Sequence, residues 1–368
     1  MKKLRIIVSG GGTGGHIFPA IAIAKKIEKE IPDVEFLFIG AKDRMEMDKV
    51  PQAGYKIQGL WISGLQRRIS SKNLLFPFKI IYSFFQSIRI INEFNPHLVI
   101  GTGGYASALP LLVAGLKKIP SLIQEQNSYA GITNRILAKY AQKICVAYDN
   151  MQIFFPERKI ELTGNPIRDE ILKFTNETEK KDRKTHPKRL TVLVIGGSLG
   201  ALSINSTIAK DLYKFQKNKI NLIWQTGENY YQKALEQVEK NEIQYVKVVD
   251  FIKDMSSAYL KADIIVSRAG AIAISELCCV GKPTILIPSP NVSENHQYKN
   301  AQSLVNKNAA LLVKDKDVIS NLVDTIIKLM GDIDLQQKLT KNIKKLSKID
   351  ATKRIAKIAI GLINYGSK

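Results

Sequence analysis

Cysteine is nearly absent: the 368 residues hold three, Cys145, Cys278 and Cys279. Two of them are adjacent and cannot readily close an ordinary disulfide with each other, so a reducing compartment is expected rather than a disulfide framework. None has zinc-type spacing, and the four histidines, His16, His97, His186 and His296, are too dispersed for a ligand cluster. No metal cofactor is expected. Long apolar runs are missing as well: the longest, residues 106–116, falls well short of the roughly 18 residues a membrane span requires. Met1-Lys2-Lys3 leads straight into a short strand-like run, without the apolar region or cleavage site of a signal peptide. A protein of the cytosol, or one lying on a membrane from that side, is expected. Acidic residues are scarce, 33 against 55 lysines and arginines, for a formal net charge of +22. The imbalance favours an anionic partner such as nucleic acid, an anionic membrane surface or a phosphorylated substrate. Scattered lysines, as in Lys180-Lys181-Asp182-Arg183-Lys184, read equally as solvated surface.

What the chain does have is glycine placed where strand-like runs end. Hydrophobic residues make up 45% of the sequence, enough for two domains with proper cores. An apolar run at residues 4–8 leads into Gly10-Gly11-Gly12-Thr13-Gly14-Gly15-His16-Ile17-Phe18-Pro19-Ala20, and a helical pattern follows from about Pro19 to Lys29. Strand-like runs at 35–39, 98–101 and 121–124 alternate with helical patterns, which predicts a doubly wound parallel sheet. The plan restarts at Arg189-Leu190-Thr191-Val192-Leu193-Val194-Ile195-Gly196-Gly197-Ser198, with further strands expected at 221–225, 245–249, 264–267 and 284–288. The fold expected is α/β, two Rossmann-like domains with parallel sheets facing across a cleft. Gly164-Asn165-Pro166 interrupts the pattern and marks a boundary. Residues 173–188 read as an exposed loop or a poorly packed helix, and an amphipathic helix, roughly 351–364, closes the chain.

Glycines at a strand-to-helix turn let the backbone approach a ligand, and the free N–H groups and positive dipole end of the helix then face it. His16 adds a proton carrier to such a turn. Gly10, Gly12 and Gly15 satisfy G-x-G-x-x-G, but the next strand ends Phe38-Ile39-Gly40-Ala41-Lys42 without the acid that holds a nicotinamide ribose. That counts against a dehydrogenase. No Lys-Ser or Lys-Thr follows the glycines, which excludes a Walker loop. Gly101-Thr102-Gly103-Gly104-Tyr105 makes a second turn at the same sheet edge, and Gln124-Glu125-Gln126-Asn127 ends the next strand. A carboxylate and amides there suit a polyhydroxylated ligand such as a sugar, or Glu125 caps the following helix. In the second half, N–H groups at 270–272 suit a phosphate and Glu276 suits ribose hydroxyls, while Asn291 to Gln297 bring further amides to the edge.

Together these stretches resemble the MurG family of peptidoglycan glycosyltransferases. The resemblance runs through the first loop at 11–20, Asp43-Arg44-Met45-Glu46, Ile62-Ser63-Gly64-Leu65, Gly103-Gly104-Tyr105, Glu125-Gln126-Asn127, Gly164-Asn165-Pro166, Gly196-Gly197-Ser198, Ser275-Glu276 and His296-Gln297. It implies a GT-B fold. Residues 1–163 would bind acceptor and membrane, with a last helix, 346–368, packing back on them, and residues 164–345 would bind the donor. The implied reaction is inverting transfer of N-acetylglucosamine from UDP-N-acetylglucosamine to the muramoyl 4-hydroxyl of lipid I (undecaprenyl-pyrophosphoryl-N-acetylmuramoyl pentapeptide). Lipid II of peptidoglycan synthesis would form at the cytoplasmic face of the plasma membrane, without a cofactor. Donor contacts would fall on Arg168, Ser198, Ile252 through its backbone, Ala271, Ile272, Ala273, Ile274, Ser275, Glu276 and Gln297. Thr13, Gly14, Gly15 and Asn127 would complete that site, and Gly103, Gly104 and Tyr105 would meet the acceptor. The base is His16 or Glu125, with His16 preferred. The alternatives are another GT-B UDP-sugar transferase acting on a lipid, and a UDP-sugar epimerase. Nucleic-acid binding would leave the glycine turns without a role, and the basic residues show no regular aromatic interleaving.

Between Lys49 and Asn92 there is no acidic residue, while Lys56, Arg67, Arg68, Lys72, Lys79 and Arg89 are basic. Interleaved with them is Leu74-Leu75-Phe76-Pro77-Phe78-Lys79-Ile80-Ile81-Tyr82-Ser83-Phe84-Phe85. This reads as an interfacial patch for anionic lipid, with Phe84 and Phe85 its expected apolar pair, or as a buried helix with a basic exterior.

Overall fold

The computed structural model describes residues 3–64, 75–172 and 189–365. In the first strand, β1 (Leu4–Ser9), successive side chains enter two different apolar layers, Ile7 on one face and Ile6 and Val8 on the other. The neighbouring strands do the same, apart from the last of them, whose Ile160 and Leu162 both face the Ile7 layer. They are β2 (Val34–Ala41), β3 (Lys56–Leu60), β4 (Leu98–Gly101), β5 (Ser121–Glu125), β6 (Lys143–Val146) and β7 (Ile160–Leu162). A strand buried on both faces reads as a continuous apolar run, which is why β1, β4 and β5 were legible at once. The sheet is parallel, in the order β3-β2-β1-β4-β5-β6-β7. Connections therefore reverse direction between β1 and β4.

Helices cover both faces. On the Ile7 side lie α3 (Phe76–Phe94), α4 (Ala108–Leu116) and α5 (Ile132–Leu137), through Ile90, Ile91, Leu109, Leu111, Val113 and Leu137. On the Ile6 side α1 (Gly14–Glu30) contributes Ile17, Ala20, Ile23, Ala24 and Ile27. The C-terminal helix Ala351–Tyr365 joins that layer through Ile355, Ala356, Ala359 and Ile363. The apolar run at 106–116 becomes α4 with a short helical turn before it. α2 (Glu46–Gln52) lies between β2 and β3.

The second sheet runs β8 (Thr191–Ile195), β9 (Asn221–Gln225), β10 (Val246–Val249), β11 (Ile264–Arg268), β12 (Thr284–Ile287) and β13 (Leu311–Leu312) along the chain. Its order, β10-β9-β8-β11-β12-β13, repeats the plan of the first, with the reversal between β8 and β11. Val192, Val194, Leu222, Trp224, Ile264, Val266, Ile285 and Ile287 form one buried face. The chain thus divides into two compact units: residues up to Ile167 with those from Asp350, and Arg168 to Ile349. Asn165 belongs to the first unit, where its side chain accepts from Gln124 Nε2.

The start of the first helix differs from the sequence reading. The first helix begins at Gly14, not near Pro19, so Gly14, Gly15 and His16 form its first turn and Pro19 lies inside it. β3, β6, β7 and β13 were not singled out as strands, and the stretch 173–188 lies outside the described residues.

The cysteines give a direct check on these cores. Burial disfavours a thiolate, and it pushes the thiols of Cys145 and Cys278 up to about 12 and raises that of Cys279 as well. At pH 8 a thiol of that kind is thiolate only ~10⁻⁴ of the time, so it reacts slowly. The native chain should therefore take up almost no Ellman's reagent at pH 8, and three equivalents once denatured. Rapid labelling of the native chain would contradict the packing described.

Candidate active site

The turns that follow β1 and β4 flank the point where the first sheet reverses, the place where open α/β sheets bind ligands. They touch: Gly11 N donates to Gly103 O at 3.4 Å. α1 starts at once after its turn, with Thr13 as N-cap but no side-chain cap and no acid in the first turn. The N–H groups of His16 and Ile17 both bond Thr13 O, at 3.1 and 3.3 Å. The amides of Gly14 and Gly15 are then left at the positive end of the helix as donors for an anion. Gly12 is different, because its N–H is taken from below by the buried carboxylate of Glu46, both oxygens at 3.1 Å. The same carboxylate accepts from Ala41 N at 3.1 Å. A Cβ on Gly11 would lie 2.1 Å from it, so glycine there makes room for the acid. In the sequence Glu46 is one letter of a motif; its position beneath the loop is visible only in the fold.

His16 packs against the second turn. A Cβ on Gly103 would lie 3.1 Å from its ring and one on Gly104 would lie 3.3 Å from its Cδ2. Both glycines also have positive φ, +97° and +79°. The pair expected to meet the acceptor therefore cradles the imidazole as well. Thr102 Oγ1 donates to His16 O at 2.9 Å, and His16 Nδ1 lies 2.9 Å from Gln126 Oε1. Tyr105 covers the outer side of the turn, its ring close to Gly12 and Gly64.

Glu125 is placed differently. It is 1% exposed, and its carboxylate accepts four hydrogen bonds, from Asn127 N (3.0 Å), Asn127 Nδ2 (3.3 Å), Gly131 N (3.1 Å) and Asn134 Nδ2 (2.8 Å). Four donors use the lone-pair directions of a carboxylate. Glu125 thus ties the loop after β5 to α5 and keeps Asn127 in place.

In the second unit the turns after β8 and β11 again flank the reversal. Gly197 has φ +91° and Ser198 is exposed beside it. The helix Ala271–Val280 begins behind Gly270 with no side-chain cap and no acid in its first turn. Nothing lies within 4 Å of where a Cβ on Gly270 would be, so the approach to that helix end is open. Along it Ala271, Ile274 and Glu276 are buried and Ile272, Ala273 and Ser275 are half-buried, with Ser275 Oγ donating to Ala271 O at 3.0 Å. Glu276 and Arg168, expected as two separate contacts, are joined: Nε and an Nη of Arg168 reach the two carboxylate oxygens at 2.7 Å each. Fork-to-fork pairing of this kind fixes orientation as well as charge. Tyr259 is fully buried beside Glu276, and burial first, then that charge, pushes its hydroxyl well above the ordinary range. Gln297 Oε1 accepts from Ser289 N at 2.9 Å. Gln225, which sequence reading passed over, donates to the carbonyls of Gly197 (2.9 Å) and Asp250 (3.2 Å). It thereby ties the glycine turn to the loop carrying Ile252; a buried glutamine at a strand end was the available signal.

The outer face of α3 is apolar and uncovered among the described residues. Phe78 and Phe85 are 67% and 63% exposed, and Ile81 and Tyr82 complete a stripe at helical spacing. Trp61 stands beside them, edge to face with Tyr82 and with Lys79 Nζ 5.4 Å from its ring. Phe84, expected as half of the exposed pair, is instead partly buried against the core, because it lies on the opposite side of the helix from Tyr82. Leu65, Arg67, Arg68, Lys72 and Leu74 lie outside the described residues.

Comparison with known proteins agrees with this plan. Residues 6–146 match the glycosyltransferase family 28 N-terminal domain and residues 191–355 its C-terminal domain. The chain is 49% identical, over 100% of its length and 99% of the relative's, to a Cytophaga hutchinsonii protein. That protein is named UDP-N-acetylglucosamine--N-acetylmuramyl-(pentapeptide) pyrophosphoryl-undecaprenol N-acetylglucosamine transferase. A Parabacteroides distasonis protein of the same name is 48% identical over 99% of this chain and 100% of its own. The crystal structure of Acinetobacter baumannii MurG superposes with a TM-score of 0.80 at 25% identity, covering 97% of this chain and 99% of that one. Two sheets built on one plan, a glycine turn at each reversal and these full-length likenesses lead to one conclusion: the chain belongs to the MurG family of family 28 glycosyltransferases, with the GT-B fold.

Proposed function

We propose that this glycosyltransferase moves N-acetylglucosamine from UDP-N-acetylglucosamine to the 4-hydroxyl of the muramoyl sugar of lipid I, forming lipid II. The observation that carries this reading is the 49% identity, across the whole chain, to a transferase whose name states that donor and acceptor. In the reaction the muramoyl oxygen bonds to C1 of the sugar as the bond from C1 to UDP breaks, and UDP leaves with the electron pair. The hydroxyl proton needs a base, and the charge growing on UDP needs fixed dipoles. His16 is the base in this reading, since Glu125 already accepts four hydrogen bonds. The open helix end behind Gly270 and the turn at Gly197 and Ser198 serve UDP, with the Arg168–Glu276 pair and Gln297 orienting the nucleotide. The amides of Gly14 and Gly15 offer donors to a substrate phosphate.

The lipid acceptor gives the α3 face a role. Phe78, Ile81, Tyr82 and Phe85, flanked by Lys79 and Arg89, have the make-up of a surface that enters the headgroup region of an anionic membrane. No helix among the described residues is long and apolar enough to cross a membrane. In this reading the protein works peripherally, on the cytoplasmic face.

Two experiments follow. With labelled UDP-N-acetylglucosamine and a short-chain lipid I analogue, label should move to the lipid; epimerised sugar without transfer would favour the epimerase reading. In that assay His16→Ala should lower kcat by roughly 10²-fold or more with UDP affinity preserved, and near-normal turnover would remove it as the base. For the membrane face, Phe78→Asp with Phe85→Asp should weaken binding to vesicles rich in anionic lipid while leaving the protein folded. Unchanged binding by that variant would count against the patch.

A further inference from the structure

We infer that Gln126, Gln124 and Asn165 form a one-way chain of buried amides that holds His16 in the Nδ1–H tautomer, leaving the lone pair of Nε2 free. The direction is fixed link by link. Asn165 Nδ2 lies 3.0 Å from the carbonyl oxygen of Gln126, which can only accept, so Asn165 Oδ1 is the acceptor at the other end of that amide. It takes Gln124 Nε2 at 2.9 Å. Gln124 Oε1 in turn faces Gln126 Nε2, whose hydrogens also face the carbonyls of Thr102 (2.7 Å) and Gln124 (3.0 Å). Flipping any of these amides would set oxygen against oxygen. Gln126 therefore presents Oε1, not its NH₂, to His16, and the hydrogen on the 2.9 Å contact must be on Nδ1.

Burial makes the arrangement firm. Gln124, Gln126 and Asn165 are each at most 1% exposed, so water does not compete for their groups, and a half-satisfied chain would be costly. The ring itself is wedged against Gly103 and Gly104, and Nε2 has no hydrogen-bond partner among the described residues. The catalytic consequence rests on the reading of His16 as base: a neutral imidazole can take a substrate proton only on the nitrogen that lacks one. Gln126, Gln124 and Asn165 are then positioning residues, acting through His16 without touching substrate.

The fold supplies an internal control. His97 Nδ1 accepts from Arg5 N at 3.1 Å, which leaves its hydrogen on Nε2. With ¹⁵N-histidine in the full-length protein, long-range ¹H–¹⁵N spectra of the neutral rings should show His16 and His97 as opposite tautomers, with His16→Ala identifying its signal. Gln126→Met should lose the preference at His16 and lower kcat roughly 10- to 100-fold, with KM for UDP-N-acetylglucosamine nearly unchanged. Gln124→Met and Asn165→Leu should weaken it less. Wild-type His16 carrying its hydrogen on Nε2, or Gln126→Met leaving the Nδ1–H form intact, would overturn the chain. The wild-type spectrum decides this even if a variant fails to fold. A wild-type Nδ1–H signal together with normal turnover by His16→Ala would uphold the amide chain and overturn only the assignment of the base.

Discussion

The close approach of two glycine turns at the reversal point of the first sheet is the constraint on which this structure most depends. A Cβ on Gly104 would lie 2.3 Å from Gly11 O, and one on Gly10 would lie 2.0 Å from Thr102 Oγ1. Any side chain at either place would part the turns. With them together, α1 can begin at Gly14, the imidazole of His16 fills the space beside Gly103 and Gly104, and Gln126 comes within reach of Nδ1. Below the loop, Glu46 fixes Gly12 and so decides which amides remain open. The outcome is a basic nitrogen and free N–H groups on one short stretch of chain, held from two sides by groups far away in sequence.

The second unit uses the same sheet plan for a different end. Its turns are open rather than filled, with Gly270 uncovered and Ser198 exposed. The charged residues sit farther along the helix, where Arg168 and Glu276 hold each other. A carboxylate this buried is tolerable because the guanidinium pairs with it and is itself half-exposed. The two units thus share one sheet plan and differ in their loops: the first packs an imidazole between its turns and the second leaves a helix end open.

Much of the framework was legible from the chain. β4 fell at 98–101, where an uninterrupted apolar run predicts a strand buried on both faces, and β9 at 221–225, around Leu222-Ile223-Trp224. The start of α1 is not legible in the chain, because proline commonly opens a helix and glycine is a poor helix former, so propensity points to Pro19 as the first turn. Here the packing of Ile17 and Ala20 beneath the glycine turn outweighs propensity. β7 and β13 are only three and two residues long, and β3 carries Lys56, Gln58 and Gly59 among its five, so these give no apolar run; β6, at four residues, is no shorter than β4, and its length does not account for its being missed. His16 stood out as a lone titratable group in a glycine turn, but its partner Gln126 is 110 positions away and Asn165 lies 41 beyond Gln124. The pairing of Arg168 with Glu276 spans 108 positions. Local patterns carry no trace of such pairings; they exist only once the sheets form.

In the proposed reading, a hydroxyl activated by His16 and a donor held by the second unit lead to a single displacement at the sugar's C1. The measurement that bears most directly on this is the configuration of the linkage formed from α-linked UDP-N-acetylglucosamine and a lipid I analogue, read by NMR of the isolated product. A β linkage is the predicted result. An α linkage would contradict the single displacement, and with it the role of His16 as the base that drives it.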